Sequence, residues 1–155
     1  WPVKGATIAG LILLAACAKS DSAMTAYRSG DFATALREFR PRADQGDAQA
    51  QYILGVMYTE GDGVPRDYSQ AASWFKMAAE HGDSEAQFNL GTAHDSGRGV
   101  PKNPAQAAHW YKKAAAQGQA RAQHNLGYMY TNGKGVPTDH ARAVRWYGRG
   151  PGPRS

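Results

Sequence analysis

A period of 36 residues constrains this chain more than any other feature. Gly55, Gly91 and Gly127 stand 36 apart, and so do Trp74, Trp110 and Trp146. The glycines at 61, 97 and 133 and at 63, 99 and 135 keep the same step, as do Val64, Val100 and Val136 and Pro65, Pro101 and Pro137. Self-similarity at such a period means stacked copies of one small unit, each burying its apolar face on its neighbours. Three units cover residues 48–83, 84–119 and 120–150. A degenerate fourth precedes them within residues 18–47, where Asp31 to Asp47 aligns with Asp67 to Asp83 at the same offset. Composition agrees with thin apolar stripes, since alanine is abundant while Leu, Ile, Val and Phe are sparse.

Each unit reads as a helical hairpin. In its first helix, A, residues Ala50, Leu54, Met57 and Tyr58 recur at helical spacing beside Gly55. A glycine inside a helix costs about 1 kcal/mol relative to alanine, so a repeated one needs a packing reason. Close approach of the partner helix is the reason expected here. In the second helix, B, a stripe of Tyr68, Ala71, Ala72, Phe75, Ala78 and Ala79 forms, with Trp74 at its edge. Gly46, Gly82 and Gly118 fall where a left-handed C-cap is wanted. Between the helices lies Gly-x-Gly-Val-Pro. Its first glycine ends helix A, its second tightens the turn, Val64 plugs the hairpin and Pro65 prevents helix A from continuing. Asp67, Asn103 and Asp139 are the expected N-caps of the B helices, with Gln70 and Gln106 at capping-box positions. The N-terminal unit has only Ser29-Gly30 between its helices.

The segment AQYILGVMYTEGDGVPRDYSQAASWFKMAAEHGD and its two sister segments resemble Sel1-like repeats of the tetratricopeptide-repeat superfamily. Ala-x3-Leu-Gly-x2-Tyr, Gly-x-Gly-Val and Ala-x2-Trp-Tyr-x-Lys-Ala-Ala carry the resemblance. The short turn of the N-terminal unit is closer to an ordinary tetratricopeptide repeat and reads as a cap. The resemblance implies an all-α, right-handed solenoid of stacked antiparallel helix hairpins whose A helices line a concave, protein-binding face. Three departures stand out. His94 replaces the tyrosine of positions 58 and 130. Pro41 sits inside a B helix, removes a bond to Arg37 and is expected to kink it. In the third unit Gly148 and Pro151 replace Lys76 and Ala79, so its B helix is expected to end near Tyr147. A disordered tail at 151–155 and an end face available for pairing with another chain follow from that ending.

Residues 1–17, WPVKGATIAGLILLAAC, read as an export signal with Lys4 before an apolar run too short to span a bilayer. Leu14-Ala15-Ala16-Cys17 resembles a bacterial lipobox, which makes Cys17 the candidate lipidation site. Cleavage after Ala18 is the alternative. Either way the chain is expected to be exported, as a periplasmic or outer-membrane-anchored lipoprotein or as a soluble periplasmic or secreted protein. Membrane contact is then expected only through the lipid, and nucleic acid is disfavoured as a partner. A single cysteine excludes an intrachain disulfide. Charge is unevenly shared: residues 18–95 carry −5 and residues 96–155 carry +9, with Asp139 the one acid of the latter. Solvated helix faces account for this, or a surface for an acidic protein, glycan or lipid headgroup.

No reactive constellation emerges. The glycines around Lys134 follow no strand, and its equivalents are Asp62 and Arg98, which argues against a phosphate loop. Glu60, Asp62 and Asp67 align with Ser96, Arg98 and Asn103, too few oxygens for calcium. The five histidines contain no i,i+4 pair. No cofactor and no metal are expected. Ser73-Trp74-Phe75-Lys76 matches Ser-x-x-Lys of penicillin-recognising enzymes, and the resemblance carries a rival reading of β-lactam or peptidoglycan chemistry. Its aligned copies begin with His109 and Arg145, and no companion box exists.

Binding remains. Positions of helix A outside the core stripe, which face the concave side in related repeats, are Gln49, Tyr52, Val56 and Thr59 in the first unit. The second unit supplies Glu85, Phe88, Thr92 and Asp95, and the third Arg121, His124, Tyr128 and Thr131. These vary while the frame is constant, as a surface for a protein or peptide partner would. The row Tyr52, Phe88, His124 has two readings, an aromatic anchor for a partner or a completion of packing.

Overall fold

The computed structural model describes residues 22–149 and is helical throughout them, with no strand. The helices are α1 (22–29), α2 (Phe32–Asp44), α3 (Ala48–Glu60), α4 (Tyr68–Glu80), α5 (Ser84–Ser96), α6 (Pro104–Ala116), α7 (Ala120–Asn132) and α8 (His140–Tyr147). Helices α3, α5 and α7 are the A helices, and α4, α6 and α8 the B helices. Each packs mainly on the next in sequence, so the chain is an all-α solenoid of stacked hairpins. The export signal, Cys17 and the tail from 150 lie outside the described residues. No helix among the described residues is long and apolar enough to cross a membrane.

The core follows the repeat. Leu54, Leu90 and Leu126 are 0%, 2% and 1% exposed, surrounded by the alanines of both helices. Burying one such side chain stabilises by roughly 1.5–3 kcal/mol. Trp74 is not at an edge: it is 5% exposed and belongs to the core formed by α1, α2 and α3, so it reaches back into the preceding unit. Trp110 likewise joins the core that contains Phe75 and Leu90. The helical glycine also has a more specific task than close approach. A Cβ on Gly55 would lie 2.6 Å from the Phe75 ring, one on Gly91 2.8 Å from the Tyr111 ring, and one on Gly127 2.7 Å from the Tyr147 ring. The missing side chain is a notch that one aromatic ring of helix B fills.

The loop closes the same way three times. Gly61, Gly97 and Gly133 end the A helices at φ 81°, 72° and 65°. Beyond each, the amide of the B-helix N-cap donates to helix A: Asp67 to Tyr58 at 2.9 Å, Asn103 to His94 at 2.8 Å and Asp139 to Tyr130 at 2.9 Å. The expected capping box is therefore only half formed. The N-cap carboxylate or amide oxygen accepts from the Gln70 and Gln106 backbones, but the reciprocal acceptor is a main-chain carbonyl, which leaves the glutamine side chains unneeded. The second glycine is where units meet. Beyond their positive φ, Gly99 and Gly135 lie against the backbone carbonyls of Tyr68 and Pro104 in the preceding B helix, with no space for a Cβ. Helix α2 runs through Pro41 to Asp44 and keeps the common length of 13 residues. Helix α8 ends at Tyr147, as the sequence predicts.

Candidate functional site

The A helices carry the twelve candidate positions. Gln49, Thr92, Arg121, His124 and Tyr128 are exposed, and Tyr52, Val56, Thr59, Glu85, Phe88, Asp95 and Thr131 are half-buried. The aromatic row leans on its own hairpins. Tyr52 lies 6.0 Å from Phe75, Phe88 5.7 Å from Tyr111 and His124 5.6 Å from Tyr147, ring centre to ring centre. Each outer ring thus covers the ring that fills the glycine notch, which gives the row a packing role while leaving one side of it accessible. Burial, and then the carboxylates of Glu85 and Asp83, push the Tyr52 phenol up, so it stays a neutral donor at physiological pH.

The threonines are partly committed. Thr59 and Thr131 donate to the carbonyls of Gly55 and Gly127 at 2.9 and 3.0 Å. Thr92 donates to Phe88 and shares a hydrogen bond of 3.1 Å with the Tyr111 hydroxyl. Several charged positions pair with each other. Arg121 reaches Glu85 at 2.6 Å, and its guanidinium lies 4.3 Å from the Phe88 ring centre. Asp95 meets Lys134 at 2.7 Å, which holds the Lys134 ammonium above its usual range. Between the first and second units, by contrast, a cleft of about 100 Å³ opens, lined by Thr59, Tyr68, Phe75, Asn89, Thr92 and Arg98. Two of the candidate positions share it, and Asn89 and Arg98 are additional polar groups that the helix-A rule passes over.

Sequence reasoning also missed a buried glutamine in each A helix. Gln51, Gln87 and Gln123 are 2%, 4% and 5% exposed. Their amide nitrogens donate to Ala43, Ala79 and Ala115 at 3.0, 3.2 and 3.2 Å, satisfying a carbonyl at the end of the preceding B helix. The oxygens of Gln51 and Gln87 accept from the end of their own unit. Gln117 Nε2 donates to Gln87 Oε1 at 2.9 Å. His81 Nδ1 lies 3.1 Å from Gln51 Oε1, which can only accept, so that ring nitrogen carries the proton. Gln123 Oε1 has no partner among the described residues. The signal was available, since Ala-Gln recurs at 50, 86 and 122.

Ser73 is exposed on α4 and donates to the Ser69 carbonyl at 3.0 Å, while Lys76 lies 4.0 Å from Glu80. Among the described residues no group of three or more His, Cys, Asp or Glu side chains is placed to hold a metal.

Known proteins share this architecture. The Sel1 repeat family model matches residues 48–83, 84–119 and 120–150. Among curated proteins none matches the chain. A Sel1 repeat protein from Oxalobacter formigenes superposes with a TM-score of 0.80 at 34% identity, covering 83% of this chain and 53% of that one. A protective antigen of uropathogenic Escherichia coli with an SLR fold gives a TM-score of 0.80 at 35% identity, over 94% of this chain and 33% of that one. The chain thus spans about half and a third of these two relatives. The Helicobacter pylori cysteine-rich protein B shares the fold, with a TM-score of 0.58 at 22% identity over 77% of this chain and 85% of that one. With three tandem matches over about two thirds of its length, the chain belongs to the Sel1 repeat family.

Proposed function

We propose that this chain is a non-catalytic scaffold of the bacterial cell envelope that holds a protein or peptide partner along its A helices. Sel1 repeat proteins are in general protein-interaction scaffolds. The observation that carries the reading is the division within each A helix: Leu54, Leu90 and Leu126 are buried and constant, while the neighbouring row changes from unit to unit and stays accessible. Tyr52 and Phe88 are half-buried and supply large, stiff contact area. The envelope location rests on the N-terminal segment, where Cys17 follows an apolar run.

Pull-down from envelope extracts with the wild type and with Tyr52→Ala/Phe88→Ala tests the row. A partner retained by the wild type and lost by the variant, with an unchanged circular dichroism melt, is the expected result. Equal recovery of every partner would overturn it. Labelling cells with a fatty-acid analogue, with Cys17→Ser as control, tests the anchor. Turnover of nitrocefin by the purified chain, abolished by Ser73→Ala, would overturn the non-catalytic assignment.

A further inference from the structure

A pocket of about 250 Å³ lies on the B-helix side of the third repeat, away from the A-helix row, and is lined by Lys112, Tyr130, Arg142, Arg145, Trp146 and Arg149. Four cations meet there around two aromatic rings. The Arg149 guanidinium lies 4.7 Å from the Trp146 ring centre and that of Arg142 lies 5.7 Å from the Tyr130 ring centre. Asp139, which caps α8, contacts Arg142 at 3.2 Å and is the one carboxylate between residues 96 and 155.

The preceding repeat has the same groove with different chemistry. There Lys76, His94, Gln106 and Trp110 line a space of about 500 Å³. One period on, Gln106 and His109 become Arg142 and Arg145, and Glu80, which lies near Lys76, becomes Ala116 beside Lys112. The third repeat has therefore gained two cations, while it exchanges Glu80 for Ala116 and Asn103 for Asp139, so four cations there face one carboxylate. Four cations crowded beside a single carboxylate focus a positive potential, and guanidinium groups stacked on rings present their edges as forks that match carboxylates.

We propose that this pocket binds the carboxylate side chains of an acidic segment in a partner protein. The recessed shape and ring-stacked arginines suit discrete carboxylates inserted one or two at a time.

The test measures binding of a short fluorescein-labelled oligoglutamate to the purified full chain by anisotropy. Arg145→Gln/Arg149→Gln is expected to weaken binding roughly tenfold, on the scale of one or two charge-assisted hydrogen bonds. Arg37→Gln/Arg66→Gln removes as much charge elsewhere and is expected to leave affinity within about twofold. Oligoglutamine is expected not to bind. Circular dichroism melts establish that each variant is folded. Several outcomes overturn the proposal: no binding of oligoglutamate, equal weakening by both double variants, tighter binding of inorganic phosphate, or binding of phosphatidylglycerol vesicles without binding of the peptide. The A-helix row has no part in this measurement, so failure here leaves the scaffold proposal standing.

Discussion

Across the junction between the second and third repeats, Glu85 holds Arg121 and Asp95 holds Lys134. One period earlier the same positions are Gln49 with Glu85 and Thr59 with Arg98. No ion pair forms between them; Arg98 instead lies 5.1 Å from the Tyr68 ring centre, and the cleft at Thr59 and Thr92 opens beside it. Beneath this difference the two junctions are built alike, from a loop glycine against the preceding B helix and a glutamine reaching the preceding helix end. Stacking is thus fixed by the frame, and a few surface residues decide whether ion pairs cross a junction on the A-helix face.

The largest expected effect tests the shared frame. Gly99→Ala and Gly135→Ala should each cost about 3 kcal/mol by urea denaturation, because strain at positive φ adds to a backbone clash. Gly82 also has positive φ, at 95°, but nothing lies within 4 Å of its absent Cβ. Gly82→Ala should therefore cost only about 1 kcal/mol. If Gly99→Ala were as mild, the loop contact would not set the stacking.

A smaller effect separates the junctions. Bonding to Asp95 raises the Lys134 pKa above its ordinary 10.5. That contribution is present in full below the ordinary value and is lost as pH rises through the raised one. With both side chains about a third exposed, Asp95→Asn should cost about 1 kcal/mol at neutral pH. The melting-temperature gap between it and the wild type should shrink above pH 10.5, the ordinary lysine value; a gap constant with pH would show that Asp95 acts otherwise. The smallest effect belongs to Glu85 and Arg121, 43% and 61% exposed at their side chains. A double-mutant cycle with Glu85→Gln and Arg121→Gln should give a coupling of about 0.5 kcal/mol or less, reduced by salt.

The hairpins, their boundaries and the turn chemistry were legible in the sequence because period, glycine and proline act locally. What was not legible depended on neighbours. Trp74 reads as a stripe edge when one helix is considered, and becomes core only when the preceding unit is placed against it. Gln70 forms no full capping box because a carbonyl of the other helix reaches the N-cap amide first. In the candidate row, helix-A spacing gave no sign that Glu85 and Arg121, a full period apart, would meet. Asn89 and Arg98 were missed because the cleft draws on a core-flanking position and a loop.

The buried glutamines have a mechanical consequence. Each amide nitrogen bonds the end of the preceding unit, and in Gln51 and Gln87 the oxygen also holds the end of their own unit. The amide therefore keeps its partners only while both units are in place. A unit that opened in the middle of the stack would strand a desolvated amide on one side and a bare carbonyl on the other, at about 1–3 kcal/mol for each group left unpaired. A unit at an end strands fewer. Fraying should therefore travel inward from the termini, and the middle of the array should be the last part to exchange its amide hydrogens with solvent.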